Sequence, residues 1–482
     1  MEDYLNMATD TSFDIAKNIY MNGGHSKSIA RIKLDQPLKS VMKKGTEVIG
    51  EKQMGGDLKA SALIDIKIGV QEFELRYATS EKQDTHVTCQ VGALPDAKLD
   101  GCFPSVGNFS WTAVNLNTNQ PEDIIASYTY DPAIDNVNGR TLMSFSTNAE
   151  DRMYTCMSCP YYDYKLFYLY YGEYDYAHQF IEAAFNGGKT QFLKGNANFA
   201  LYGFKGRAKA IEKATVALST TMYVIREMED GIDDCEKSCL ACNDEPVHAW
   251  DEAVAFFTGS LEGFDGNGKG KLFRAWSEDL CTYFRTCGED GDLTTGTSKS
   301  NHEILIEFFI GQNSIFLGFC NAAEKSKVKI VSWMKVVMVQ GALLYAYKTY
   351  NEEYSEEVQA IGAVAMAAVV PYINACEPAD ADIIYGGLAV GSERRGVGFK
   401  EIKEAFERNY DCPEMGILCS QVGGIFDSDK FVYMKDAEPC KDKPVDNIDT
   451  FQADTDTSSA SQTSCTLFLI FTISRFIFSV LR

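Results

Sequence analysis

The chain has 482 residues, a length that suits about three domains or two larger ones. Hydrophobic residues make up 45% of it and charged residues 23%, which excludes wholesale disorder. Acids outnumber bases 68 to 45, a net charge of −23. Duplex nucleic acid, whose phosphates need a basic surface, is thereby set aside, and cations become the natural partners.

The first ten residues, MEDYLNMATD, show neither the basic nor the apolar segment of a signal peptide. Residues 28–95 alternate apolar and polar side chains in ARIKLD, ALIDIKI, FELRYAT and HVTCQV, so strands are predicted there. Residues 96–150 continue as loops rich in Asn, Gly, Pro and Ser, with two short strand candidates, ASYTY and LMSFST. Asn108-Phe109-Ser110 is an N-glycosylation acceptor placed in such a loop. From about residue 160 the period becomes helical, with helices predicted near 174–186, 206–235, 247–262, 271–286, 301–323, 327–351, 356–374 and 398–410. The fold class expected is therefore α+β: a β-rich N-terminal domain (13–150), then an all-α domain (151–427) of two four-helix halves.

Residues 428–464 read as a polar stalk and 465–482 as a hydrophobic tail. Small residues at Ser458, Ser459, Ala460 and Ser461 before that tail resemble a GPI-attachment signal. The rival is a short membrane span broken by Arg475. Either makes the membrane a partner and puts the folded part outside the cell. The cysteines agree: of 15, all but Cys465 lie outside the tail, and those 14 allow up to seven disulfides, as in secreted proteins. Secretion with no visible leader implies a gene model that starts late. Reduced cytosolic cysteines are the alternative, and zinc at Cys156-x-x-Cys159 and Cys239-x-x-Cys242 is a third.

Polar chemistry concentrates in two predicted helices. Arg226 to Asp234 packs five acids and one Arg into a short run, REMEDGIDD. On a helix, Tyr223, Glu227, Asp230 and Asp234 form one stripe, read as a solvated face. Glu229 falls on the apolar stripe with Leu218, Met222, Ile225 and Ile232, flanked by Arg226 and Asp233. A carboxylate buried there needs either an ion pair with Arg226 or a metal. The next helix places His248 and Glu252 at i, i+4, with Ala255 and Gly259 continuing that face. Small residues beneath such a pair suggest a polar cluster trapped against a neighbouring helix; a satisfied core histidine is the plain alternative. Residues 159–180 are dense in tyrosine, Tyr176 among them. Most of these rings serve packing, but phenolate and carboxylate oxygens also suit a hard trivalent cation. The EF-hand-like start at Asp265 fails at Trp276, and no Walker A loop or nucleophile elbow occurs, so catalysis has no support and the chain is expected not to be an enzyme.

The segments REMEDGIDDC (226–235), HAWDEAVAFFTGSLEG (248–263) and CPYYDYKLFYLYYGEYDYA (159–177) resemble the phytotransferrins, the low-iron-inducible periplasmic or iron-starvation-induced surface proteins of algae. GRTLMSFST (139–147), VQGALLYAYK (339–348) and MGILCSQVGGIF (415–426) extend the likeness over most of residues 13–427. WDEAVAFF is also similar to helices of imelysin-like proteins, an iron-linked fold of duplicated four-helix bundles. The resemblance implies a membrane-anchored protein of the cell surface or periplasmic space that binds ferric iron with carbonate for high-affinity uptake. Endocytic or ferric-reductase machinery would then be its protein partners. In that picture Arg226 is the anion partner, and Glu229, Asp233, His248 and Glu252 are candidate ligands with Tyr176 beside them, on helical geometry. Acidification would protonate carbonate and His248 and loosen the site. The alternatives are an extracellular adhesion or matrix protein that binds divalent cations loosely, and a metal-dependent surface enzyme.

Overall fold

The computed structural model describes residues 1–22, 29–50, 59–77, 106–115, 118–129, 141–154, 161–237, 246–259, 270–352, 354–392 and 397–442. Residues 1–441 pack as one compact unit. The architecture is mixed, with a six-stranded barrel in the N-terminal part and helices after it.

Two N-terminal helices, α1 (Glu2–Asn6) and α2 (Asp10–Asn22), precede the barrel in sequence but belong to the helical core. Phe13 packs edge-on against Phe204 at 4.9 Å, and Tyr20 stacks on His178. The barrel closes through β1 (Ile29–Leu34), β2 (Glu47–Gly50), β3 (Lys59–Ala62), β4 (Glu72–Tyr77), β5 (Val106–Asn115) and β6 (Gln120–Thr129), all pairs antiparallel, in the order β1-β4-β3-β2-β5-β6. The two-residue alternation does the work. Ile32, Leu34, Val48, Phe73, Leu75, Phe109 and Trp111 point inward and fill the barrel, while Arg31, Lys33 and Glu72 point out.

The strand readings hold for ARIKLD, FELRYAT and ASYTY. HVTCQV lies outside the described residues. LMSFST is not a strand: Ser144–Thr147 is a short helix, α3, because Phe145 stacks on Tyr223 at 4.3 Å and is drawn into the helical core. Asn108 sits on β5 rather than in a loop, paired with Ser127 of β6, whose hydroxyl donates to its Oδ1 at 2.8 Å.

The helical body continues with α4 (Tyr162–Tyr171), α5 (Tyr176–Asn186), α6 (Phe204–Ala214), α7 (Thr221–Glu236), α8 (Pro246–Thr258), α9 (Phe273–Phe284), α10 (Lys299–Phe316), α11 (Cys320–Asn351), α12 (Glu356–Ala367), α13 (Val370–Cys376), α14 (Pro378–Leu388), α15 (Phe399–Glu407) and α16 (Cys419–Val422), then a two-stranded ribbon of β7 (Phe426–Asp427) and β8 (Val432–Tyr433). The 32-residue α11 is its axis and packs on α7, α9, α10, α12 and α15. It is long and apolar enough to cross a membrane, but 78% of its most apolar window is buried inside the protein, as befits a core helix. The predicted helix 356–374 is two helices meeting at 47°, with Pro371 in the first turn of the second. The predicted break near residue 325 falls instead at Gly318, whose φ of +75° ends α10.

Four disulfides tie this body: Cys235–Cys320, Cys281–Cys287, Cys376–Cys412 and Cys419–Cys440. Every cysteine among the described residues is bonded in this way, the mark of an extracellular or periplasmic protein. Both Cys-x-x-Cys pairs lie outside the described residues.

Candidate functional site

The acidic run is set by the helix that carries it. From Phe204 to Glu236 the chain is helical throughout, but Thr215–Thr220 widens into a π-helical stretch. Threonine hydroxyls fill the wide turn: Thr220 donates to the Thr215 carbonyl at 2.9 Å and Thr221 to the Val216 carbonyl at 2.8 Å. Such an insertion rotates everything beyond it relative to a regular helix, and it is the kind of irregularity found at functional sites. Gly231 admits α8: a Cβ there would stand 2.8 Å from the Pro246 carbonyl.

Enclosed between α8 and α11, α7 leaves only Asp230 and Asp234 of the expected solvated stripe partly exposed. Glu227, expected on the wet face with Tyr223, is 1% exposed, and Tyr223 is equally buried. Arg226 answers this burial. Its Nη1 donates to Glu227 Oε2 at 2.7 Å and its Nη2 stands 3.1 Å from Asp230 Oδ2. Burial works against its charge, but these two carboxylates overcome that and hold the guanidinium above its ordinary range. Its Nε is buried with no acceptor among the described residues. Arg226 does not pair with Glu229 as the spacing allowed. Glu229 turns to α11, where Lys327 Nζ donates to it at 2.6 Å and also stands 2.9 Å from Glu324. Burial pushes the Glu229 carboxyl up while Lys327 pulls it down; Lys327 itself is buried, yet Glu229 and Glu324 hold its charge above the ordinary lysine range.

The charges continue toward α4. Tyr161, which caps the start of that helix, is buried. Burial first, and then the nearby negative charge of Asp230, Asp233 and Glu229, raises its phenol well above the ordinary range, with Arg226 pulling the other way. Two residues on, Asp163 accepts a hydrogen bond from Tyr372 of α13 and lies 3.9 Å from Lys335 of α11. Lys335 donates to the Glu414 carbonyl at 2.6 Å and sits over the Tyr372 ring at 4.1 Å. Burial pushes its ammonium below the ordinary range, against the pull of Asp163. Four helices thus meet in one web of carboxylates, phenols and cations, most of it shut off from water.

The structure brings Arg226, Glu229 and Asp233 into this web and leaves the other predicted residues out of it. Asp233 is buried and pairs with Lys237. The helix of His248 and Glu252 is not buried on both sides. His248 Nε2 and Glu252 Oε1 are 3.9 Å apart, but the His248 side chain is 70% exposed, because α8 turns Trp250, Ala253 and Phe257 inward and the histidine face outward. Small Ala255 on that face is exposed too, so it admits water rather than a helix. Tyr176 stacks on Tyr171 at 5.0 Å within the aromatic core. Its hydroxyl has no hydrogen-bond partner among the described residues, and Tyr176 lines, with Ser219, a cavity of about 10 Å³. Burial and the neighbouring Tyr164 raise that phenol far above its ordinary range.

Among the described residues, the only three His, Cys, Asp or Glu side chains with ligand atoms within 4.8 Å of one another are Cys376, Cys412 and Glu414. Those two sulfurs are bonded to each other, so no thiolate is offered there. The web does not gather its carboxylates bare; it interleaves them with cations. Sequence reasoning missed Tyr161, Asp163, Lys327 and Lys335. A signal existed for the lysines: Lys327 and Lys335 interrupt the apolar run KVKIVSWMKVVMVQ, and a cation inside such a run calls for a buried anion.

Compared with known proteins, the chain matches no family model, no curated protein and no solved structure.

Proposed function

We propose that the chain is an extracellular ferric-iron-binding protein that takes its cargo together with carbonate, for uptake by the cell that bears it. The end of the web formed by Tyr161, Arg226, Asp230 and Asp233 is the place assigned to the pair. One observation carries this reading: a buried guanidinium holds a donor with no acceptor among the described residues, Arg226 Nε, in a setting of a buried phenol and carboxylates. A planar trioxo anion satisfies such a donor, and phenolate and carboxylate oxygens satisfy a hard trivalent ion. The net charge of −23 and the four disulfides agree with capture of a cation outside the cell. Glu229 then supplies field rather than a bond, since Lys327 already holds it. The reading is one of capture and not of catalysis. It takes the helical body as two four-helix halves of the imelysin-like kind, supported by the eight helical segments read from sequence, each of which falls on a helix.

Titration of the purified protein with ferric iron, with and without bicarbonate, tests it. The expected result is a visible tyrosinate-to-iron charge-transfer band that needs bicarbonate, is lost in Tyr161→Phe and loses its bicarbonate dependence in Arg226→Lys. Equal binding in both arms overturns the anion's part, and no binding overturns the function.

A further inference from the structure

Three tyrosines outside the candidate site meet ring to ring: Tyr154, at the end of the helical turn Glu150–Tyr154, Tyr168 on α4, and Tyr174 in the turn before α5. Local sequence brings two of them together. Gly172, at φ +80°, ends α4 with its N–H on the Tyr168 carbonyl at 2.8 Å, and the chain turns back so that Tyr174 lies over Tyr168. The Tyr164 hydroxyl donates to the Tyr174 carbonyl at 2.7 Å and pins the turn. The Tyr168 and Tyr174 rings then stack with centroids 4.3 Å apart and planes 10° from parallel, the closest and most nearly parallel pair of tyrosines among the described residues. Tyr154 stands 5.1 Å from each, tilted 56° to Tyr168 and edge-on to Tyr174. All three are partly exposed. A hydrogen bond from Tyr174 to the Tyr168 phenol is the main hold on the Tyr174 proton, ahead of burial, and lifts that phenol to about 12.

We propose that Tyr168 and Tyr174 are a dityrosine-forming pair, joined carbon to carbon when a peroxide-class oxidant acts through a peroxidase. Each phenol gives up one electron and one proton, which leaves a phenoxyl radical with spin on its ortho carbons. Two such carbons bond through the faces of their rings, so parallel rings at 4.3 Å offer the approach that the new bond needs. The two ortho hydrogens then pass as protons to the phenolic oxygens and both rings regain aromaticity. The peroxide takes up the two electrons and two protons, so two phenols and one hydrogen peroxide give one biphenol and two waters. Three observations select this pair. Tyr171 and Tyr176 also stack, at 5.0 Å and 11°, but both are buried away from any oxidant. Tyr154 meets its neighbours at steep angles and presents no parallel face to either. The negative charge of Glu150 acts on Tyr174 and eases removal of an electron from its ring. The oxidising surroundings that the coupling requires are those marked by the four disulfides. The inference is independent of the iron reading, since neither ring is assigned to that site.

The test treats the purified, metal-free full chain with hydrogen peroxide and a peroxidase, then denatures it and cleaves after glutamate. Cleavage after Glu173 separates Tyr168 from Tyr174 unless a covalent bond holds them. The expected result is blue dityrosine fluorescence in protein of protomer mass, with the peptide that ends at Glu173 joined to the one that begins at Tyr174 and the pair lighter than its sum by two hydrogen atoms. Tyr168→Phe loses the joined peptide, while Tyr154→Phe and Tyr171→Phe keep it. Thermal melting of each variant shows that the fold is retained, and the map of the unaltered chain needs no variant at all. Absence of the joined peptide from the unaltered chain overturns the proposal. A joined peptide that survives in Tyr168→Phe overturns it in favour of another pair, and fluorescence confined to species of twice the protomer mass overturns it in favour of cross-linking between copies.

Discussion

Lys327→Met tests whether the buried web is held by its cations. The substitution keeps the length of the side chain and removes the charge that stands 2.6 Å from Glu229 and 2.9 Å from Glu324. Glu324 is 42% exposed and turns to water at little cost. Glu229 is enclosed and must either stay charged without a partner or take up a proton. At an effective dielectric of 20 the lost attraction at this separation is about 6 kcal/mol before desolvation is counted, and breaking one side of a buried pair costs about 3–5 kcal/mol in practice. Protonation sets the ceiling. An ordinary glutamate has a pKa of about 4.3, and each unit is worth about 1.36 kcal/mol, so neutralising Glu229 at pH 7 costs about 3.7 kcal/mol and at pH 5 about 1 kcal/mol.

The direction follows from linkage. In the variant the folded-state pKa of Glu229 stands above its unfolded value, so the unfolded chain releases its proton first as pH rises. The deficit is absent below about pH 4 and grows toward pH 7. Urea unfolding with the disulfides intact, at pH 5 and pH 7, measures it. Lys327→Met loses about 3–4 kcal/mol at pH 7 and about 1 at pH 5, and Lys327→Met with Glu229→Met recovers most of the loss at pH 7. A deficit equal at both pH values, or a double variant no more stable than the single one, refutes the picture of Glu229 as a buried charge kept by Lys327.

Two further expectations concern what holds the site in place. The Cys235–Cys320 bond joins the end of α7 to the start of α11 across 85 residues of sequence; Cys235→Ser with Cys320→Ser lowers stability by about 3–4 kcal/mol in non-reducing calorimetry, and weakens ferric binding because the two helices that share the web are no longer tied. His178 stacks on Tyr20 of α2, with its Nδ1 3.3 Å from the Tyr20 hydroxyl, and is pushed below the ordinary histidine range by burial, with Glu182 and Asp175 opposing and Lys17 assisting; the unfolded chain therefore binds the extra proton first, so this stability is present above about pH 6.5 and is lost as pH falls through that value, a thermal-melting slope that His178→Phe removes.

How much of this was legible in the sequence depended on the range of the interactions. Alternation announced β1 and β4, whose inward residues are strongly apolar. It did not announce β5, where Gly107, Asn108 and Ser110 dilute the pattern and only closure of the barrel makes the strand. Helical period placed the acids of α7, but it could not say which were wet. That was decided by α11, whose Lys327 lies 98 residues from Glu229, and by α4, whose Tyr161 faces acids far along the chain. The pattern of α8 misled for the opposite reason. Ala255 and Gly259 beside His248 look like room for a neighbour, yet the neighbours α7 and α10 both pack on the Trp250 side, where Trp250 Nε1 donates to the Phe308 carbonyl at 2.9 Å.

Under the proposed function, moving the site from histidine to tyrosine would change the chemistry of release. A histidine switch acts by gaining charge near bound metal, and His248, out in solvent with Glu252, is badly placed to do so. A phenol works by competition. Tyr161 is buried and ringed by acids that hold its proton firmly, so a metal that binds its oxygen must displace that proton. In the proposed reading, carbonate held by Arg226 would add a second protonation on the acid side. Neither step needs the protein to open or a histidine to titrate. The same negative field that attracts the cation from outside also holds the proton that replaces it, so a site of this composition favours metal in alkaline surroundings and gives it up in acid ones through its own electrostatics.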